Sequence, residues 1–284
     1  MTKVLACIDA SSYATSVTTL AAWASHRLRL PVEILHVLQR RDAASTRNDL
    51  SGAIGLGAKG DLLEELTRIS ESEGRLAIER GRVLLAQAEE WLAAAGATGV
   101  STVLRHGGIV ETIAERETEA ELVVIGKRGA SGQFATEHLG SKLERVARGS
   151  TRPLLVAPRQ VAEIDTAVLA VDGSPSASRA LDYVSRSKLF EGMELHVVSA
   201  GPAGAKQDDL LAGAVARLAE SVRRAVPFAV PGRPEEAIAA HIERNPGSLL
   251  VMGSFGHSPL RALIIGSTTT AMLRTVHVPI LLVR

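Results

Sequence analysis

The chain has 284 residues, 32 Lys and Arg against 31 Asp and Glu, and one cysteine, a length that suits two domains of about 140 residues. A formal net charge of +1 without a run of Lys or Arg argues against the electrostatic footprint of a nucleic-acid binder, and the lone Cys7 excludes an intramolecular disulfide or a cysteine zinc cluster. No apolar run approaches the ~18 residues of a membrane span, and Asp9 interrupts the first run too early for a signal-peptide core, so a soluble cytoplasmic protein with no membrane partner is expected.

In chain order, the predicted strands of the first half are 3–8, 32–38, 100–105, 121–126 and 153–157. They are mostly unbroken apolar runs, the kind a parallel sheet buries on both faces. Between them Val17, Leu20, Ala21, Ala24 and Leu28 keep helical spacing, as do Leu76, Val83, Leu84, Ala88, Trp91, Leu92 and Ala95, while Ile109, Ile113 and Val146 mark shorter helices. The segment 40–75 lies outside this alternation. Its apolar, glycine-rich stretch 49–57 is expected to bury Leu50, Ile54 and Leu56, and 61–69 reads as a short helix with Leu62, Leu63, Leu66 and Ile69 on one face. Such an insertion reads as a lid or contact surface beside a pocket mouth. A polar linker at about 159–165 leads to strands 166–171, 194–199, 226–230, 248–252 and 279–283, with helices near 175–188, 208–224, 234–244 and 267–275. The alternation predicts an α/β protein with domains 1–159 and 165–284, each an open five-stranded parallel sheet with helices on both faces.

The two halves repeat. Lys3 to Asp9 returns as Ala167 to Asp172, Ile34-Leu-His36-Val37 as Glu194-Leu-His196-Val197, Leu122 to Gly129 as Leu249 to Gly256, and Arg152 to Ala157 as Val278 to Val283. Asp9 and Gly126 are 117 positions apart but Asp172 and Gly253 only 81, so the first half carries about 36 extra residues, between Val37 and Gly108. The repeated residues sit where strands end, and open parallel sheets bind ligands at the carboxyl ends of their strands. After Gly253 come Gly256, nine further residues, and Gly266-Ser267-Thr268 opening a helix. Glycines admit close approach of phosphate oxygens, and free amides at a helix start are an anion site.

This G-x2-G-x9-G-[ST] arrangement, duplicated and placed between strand and helix, resembles the universal stress protein family in its tandem form, over nearly the whole chain. The resemblance implies flavodoxin-like (Rossmann-like) domains of strand order 3-2-1-4-5, ATP binding with Mg2+ as an optional companion, and pairing through the fifth strands as an internal pseudo-dimer, open to further homo-oligomerisation. Carried over by residue, the adenine-nucleotide site falls on Asp172 near ribose and phosphates, the Val197 backbone at adenine, Met252 and Gly253 at the sugar, and Gly256, Gly266, Ser267 and Thr268 around the phosphates. A second site falls on Asp9, Val37, Gly126, Gly129, Gly140 and Ser141. There ten residues separate Gly129 from Gly140, and Lys142 stands in the place of Thr268, so nucleotide binding is expected chiefly in the second domain.

Blander readings compete. Asp9 and Asp172 could N-cap the following helices, His36 and His196 read as structural strand residues, and Gly55-Leu-Gly57-Ala-Lys-Gly60 matches a dinucleotide fingerprint but follows a polar run where a strand is required. The expected function is a nucleotide-binding regulator or sensor in a stress response, without catalytic residues. The alternatives are an interaction scaffold that binds no nucleotide and a slow ATPase, which lacks an evident base, arginine finger or phosphate lysine.

Overall fold

The computed structural model describes residues 2–39, 58–129, 141–219, 222, 224–254 and 266–284. Ten strands form one sheet: β1 Lys3–Ile8, β2 Val32–Leu38, β3 Ser101–His106, β4 Ala120–Gly126, β5 Leu154–Ala157, β6 Thr166–Ala170, β7 Glu194–Ala200, β8 Arg224–Val230, β9 Ser248–Gly253 and β10 Ile280–Val283. The spatial order is β3-β2-β1-β4-β5-β10-β9-β6-β7-β8. Within each half every pairing is parallel, while β5 and β10 meet antiparallel, Leu281 opposite Leu155. The carboxyl ends of the two sets of strands therefore lie on opposite margins of the sheet.

Eight α-helices among the described residues cover it: α1 Ala14–Leu28, α2 Ala58–Ala94, α3 Ile109–Arg116, α4 Ser141–Gly149, α5 Pro175–Arg186, α6 Ala205–Leu218, α7 Pro234–Glu243 and α8 Ser267–Thr275. Side chains alternate between two core layers. One layer holds Val4, Ala6 and Ile8 of β1 and Leu169 of β6 with Leu20, Leu92, Leu181 and Leu218 from α1, α2, α5 and α6. The other holds Leu5 and Cys7 of β1 and Val168 of β6 with Ile113, Val146, Ile242 and Met272 from α3, α4, α7 and α8. Burial on both faces explains why β1, β4 and β9 are unbroken apolar runs.

The insertion departs from the reading as a short helix at 61–69. A single helix, α2, runs the 37 residues from Ala58 to Ala94, about 55 Å at 1.5 Å per residue. Among its described side chains, Leu85, Ala88 and Leu92 of the carboxyl half are buried, while Ile69, Leu76 and Val83 are 47%, 49% and 56% exposed. Leu50, Ile54 and Leu56 lie outside the described residues.

At the amino ends of β1 and β2, Glu33 accepts from buried Lys3 at 2.9 Å and from Arg116 Nε at 2.8 Å. Burial would raise the Glu33 pKa, but these hydrogen bonds and the two positive charges outweigh it and hold the carboxyl below its ordinary 4.5. A carboxylate depressed in the folded state adds stability above that ordinary value and loses it as pH falls. Denaturant unfolding should show stability declining below about pH 4.5, with a shallower decline in Glu33→Gln. Because β5–β10 pairing makes one sheet, Leu281→Ala should cost about 2–5 kcal/mol, and urea should unfold both halves in one transition. Two separate transitions would show that the halves fold independently.

Candidate functional site

In the second domain, Asp172 follows β6, and its Oδ1 accepts from the Ser174 amide at 2.9 Å. The N-cap of α5 is Ser174, whose hydroxyl accepts from the Ala177 amide at 3.0 Å. Asp172 is thus no helix cap; it shapes the turn before one. Asp9 does the same, accepting from the Ser11 amide at 3.2 Å, and Tyr13 holds the N-cap position of α1.

The glycines have different reasons to be glycine. A Cβ on Gly253 would lie 2.5 Å from the Ser176 carbonyl carbon, and one on Gly126 would lie 2.8 Å from Tyr13 Cβ, so both admit close packing of the helix after the domain's first strand. Gly266 meets no such constraint among the described residues. Its φ of −57° suits any residue, and the nearest described atom to an added Cβ would be Thr269 Oγ1 at 3.6 Å. In the first domain a Cβ on Gly129 would come within 2.8 Å of Asp9 Oδ2, so the chain leaving β4 lies against that carboxylate.

Gly266 is also the N-cap of α8, with no side chain to satisfy the first amides. The first helical bond runs from the Thr270 amide to the Gly266 carbonyl at 2.9 Å, leaving the amides of Ser267, Thr268 and Thr269 before it. Ser267 is exposed and Thr268 half-buried. The Thr269 hydroxyl donates to the Gly253 carbonyl at 3.3 Å and ties this helix start to the end of β9. The Met252 side chain is buried in the layer with Met272 and Leu273, so only its main chain can reach the strand end.

The placement of Val197 at a strand end is corrected. It lies inside β7, fully buried, flanked in register by Leu169 and Pro227. In the first domain Ala6 of β1 pairs with Ile34, and Ala6 and Leu169 hold matching places, three residues before Asp9 and Asp172. Val197 therefore corresponds to Ile34, and Val37 to Ala200. The shared Leu-His-Val misaligned the second strands by three residues, and Val37 and Val197 accordingly face opposite core layers. Aligning the strands by their ends would have found Ala200, because β7 stops at Gly201, whose φ of 147° favours glycine.

The main chain of Ala200 holds the strand-end place that was expected of Val197. The Val171 amide donates to the Val198 carbonyl at 2.9 Å, and the Gly201 amide to the Val230 carbonyl at 3.0 Å. Main-chain groups of successive strand residues turn to alternate sides, so those of Ala200 turn towards β6, beyond its last paired residue, Ala170. Val37 turns likewise beyond Ile8, because the Leu38 carbonyl accepts from the Gly107 amide on the β3 side.

The structure thus gathers Asp172, Ala200, Gly253 and Gly266 to Thr268 at one margin, and Asp9, Val37, Gly126 and Gly129 at the other. Gly140 and Gly256 lie outside the described residues, and Ser141 opens α4. The two histidines matched in sequence differ in role: His36 Nδ1 lies 2.9 Å from the Ile8 carbonyl, and His196 Nδ1 lies 3.0 Å from His241 Nε2 beside Phe228. Among the described residues no group of three or more His, Cys, Asp or Glu can hold a metal ion.

The profile of the universal stress protein family matches residues 1–158 and again 163–284. A universal stress protein from Synechocystis is 33% identical over 292 residues, covering 100% of both chains. Another, from Mycolicibacterium smegmatis, is 24% identical over 300 residues, with 99% of this chain and 96% of the relative covered. The crystal structure of a universal stress protein from Archaeoglobus fulgidus shares the fold with a TM-score of 0.73 at 23% identity, over 99% of this chain and 98% of that one. The chain belongs to the universal stress protein family, in tandem two-domain form.

The glycine geometry predicts opposite outcomes at two positions of one motif. Gly253→Val should lower stability by about 1–3 kcal/mol through collision with α5, whereas Gly266→Val should stay within about 0.5 kcal/mol of the parent in thermal or urea melts. Equal losses would refute the distinction.

Proposed function

We propose that this protein binds an adenine nucleotide, ATP, at the carboxyl margin of its second domain and acts as a regulatory module without chemistry of its own. The observation that carries the reading is Gly266. Its backbone and its neighbours among the described residues would accept a side chain, yet it stands at a helix start whose N-cap offers no side-chain hydrogen bond, where a ligand's phosphate would fill the space a side chain would occupy. The family resemblance supplies the nucleotide. The Ala200 main chain, offering both a donor and an acceptor, suits the edge of adenine. Asp172 and the turn it shapes suit the ribose, and the Gly266–Thr268 amides with the Ser267 and Thr268 hydroxyls suit the phosphates. Gly256 belongs to the same motif.

No Mg2+ ligand set is assigned. In the first domain Val37 and Asp9 offer corresponding groups, but Gly129 lies against the Asp9 carboxylate, and Lys142 replaces Thr268. This favours the second domain as the principal site. Nothing in the described site supplies a paired general base and phosphate cation, so occupancy rather than hydrolysis is the proposed signal, acting by differential binding to conformations of the chain. The fifth-strand pairing fits an internal pseudo-dimer.

Isothermal titration of the full chain with ATP tests the reading. Wild type should bind, and Gly266→Val, folded by circular dichroism, should lose binding in the second domain. A wild-type chain that neither binds ATP nor releases a nucleotide on denaturation favours the interaction-scaffold alternative.

A further inference from the structure

The helix after each glycine motif is fastened at its far end by the other domain. The carbonyls of Arg274 and Val276, at the end of α8, lie 3.3 and 2.9 Å from Nζ of Lys127. Those of Arg148 and Ser150, at the same distance along α4 from its opening serine, accept from Nη1 of Arg284 at 3.2 and 2.8 Å. Equivalent carbonyl pairs are thus served by cations from places that do not correspond. Lys127 follows β4, and Arg284 follows β10. The second-domain counterpart of Lys127 is Ser254, which stays within its own domain, its amide and hydroxyl 2.9 and 3.2 Å from the Val283 carbonyl.

Lys127 is only 7% exposed. Burial lowers its pKa to about 8, with the neighbouring Arg128 charge adding to the effect, and a buried ammonium persists only where its hydrogen bonds are firm. Its main chain is held as well, the Lys127 amide donating to the Ala157 carbonyl at 3.0 Å. A cation on the last carbonyls of a helix also complements the negative end of the helix dipole. α8 has nine residues, a rod of about 13 Å, so a restraint on its carboxyl end sets the aim of its amino end. That amino end is Gly266-Ser267-Thr268.

We propose that Lys127, a first-domain residue, is a positioning residue of the second-domain nucleotide site: it holds α8 so that its free amides face the phosphates. This rests on the nucleotide reading above. It makes the second site incomplete without the first domain, and it roots that dependence in the residue that begins the first domain's own glycine loop, two positions before Gly129.

The test compares ATP with adenosine, which lacks the phosphates, by titration of the full chain. In Lys127→Met, which keeps the buried stem and removes the charge, ATP affinity should fall roughly tenfold while adenosine affinity holds, and Lys127→Arg should restore most of the loss. A residue that merely supports the fold would weaken both ligands together. Should Lys127→Met fail to fold, Lys127→Gln carries the same comparison. An unchanged ATP affinity in a folded variant, or equal losses for ATP and adenosine, overturns the proposal while leaving the nucleotide site standing. A wild-type chain that binds neither ligand overturns both.

Discussion

The antiparallel pairing of β5 with β10 is the interaction on which the rest of the molecule depends. Each strand is only four residues long and buried throughout, and each would be an apolar edge of a five-stranded sheet if left alone, open to association. Joining them removes both edges and turns two repeats into one ten-stranded sheet. The pairing also fixes polarity. The strands of the two halves run in opposite directions, so the carboxyl end of one repeat lies beside the amino end of the other, and α8 runs from the carboxyl margin of its own domain's strands to that of the other domain's. Lys127 can meet the end of α8 only because of that arrangement.

The seam is reinforced away from the sheet. Arg27 of α1 donates to the carbonyls of Leu189 and Glu191 in the second half. Like the contacts of Lys127 and Arg284, this one holds the halves together through main-chain carbonyls. Such hydrogen bonds are directional and insensitive to salt compared with exposed ion pairs. The site margins inherit this rigidity: turns shaped by Asp9 and Asp172 leave the sheet at fixed angles, and Gly126 and Gly253 let α1 and α5 pack closely over strand ends.

Much of this was legible in the residues. Strands buried on both faces betray themselves as unbroken apolar runs, and the duplicated Asp and Gly positions marked where they end. The long helix was harder, because helical spacing of apolar residues did not tell buried from exposed positions; Ile69 and Leu76 looked like core and are exposed. The second strands were misaligned because Leu-His-Val occurs in both at different heights, and local identity outweighed the alternation that separates the two core layers. Lys127 was invisible for another reason. Its partners are carbonyl oxygens more than 140 positions away, and carbonyls leave no trace in a sequence.

ATP at the carboxyl margin of the second domain is the proposal from which the roles of Gly266 and Lys127 follow. Hydrogen exchange of the full chain with and without saturating ATP measures it most directly, because strand-end and helix-start amides exchange readily until something occupies them. Slowed exchange at 172–174, 199–201 and 266–269 is the predicted result. ATP binding without protection there, or protection confined to the first domain, would contradict it.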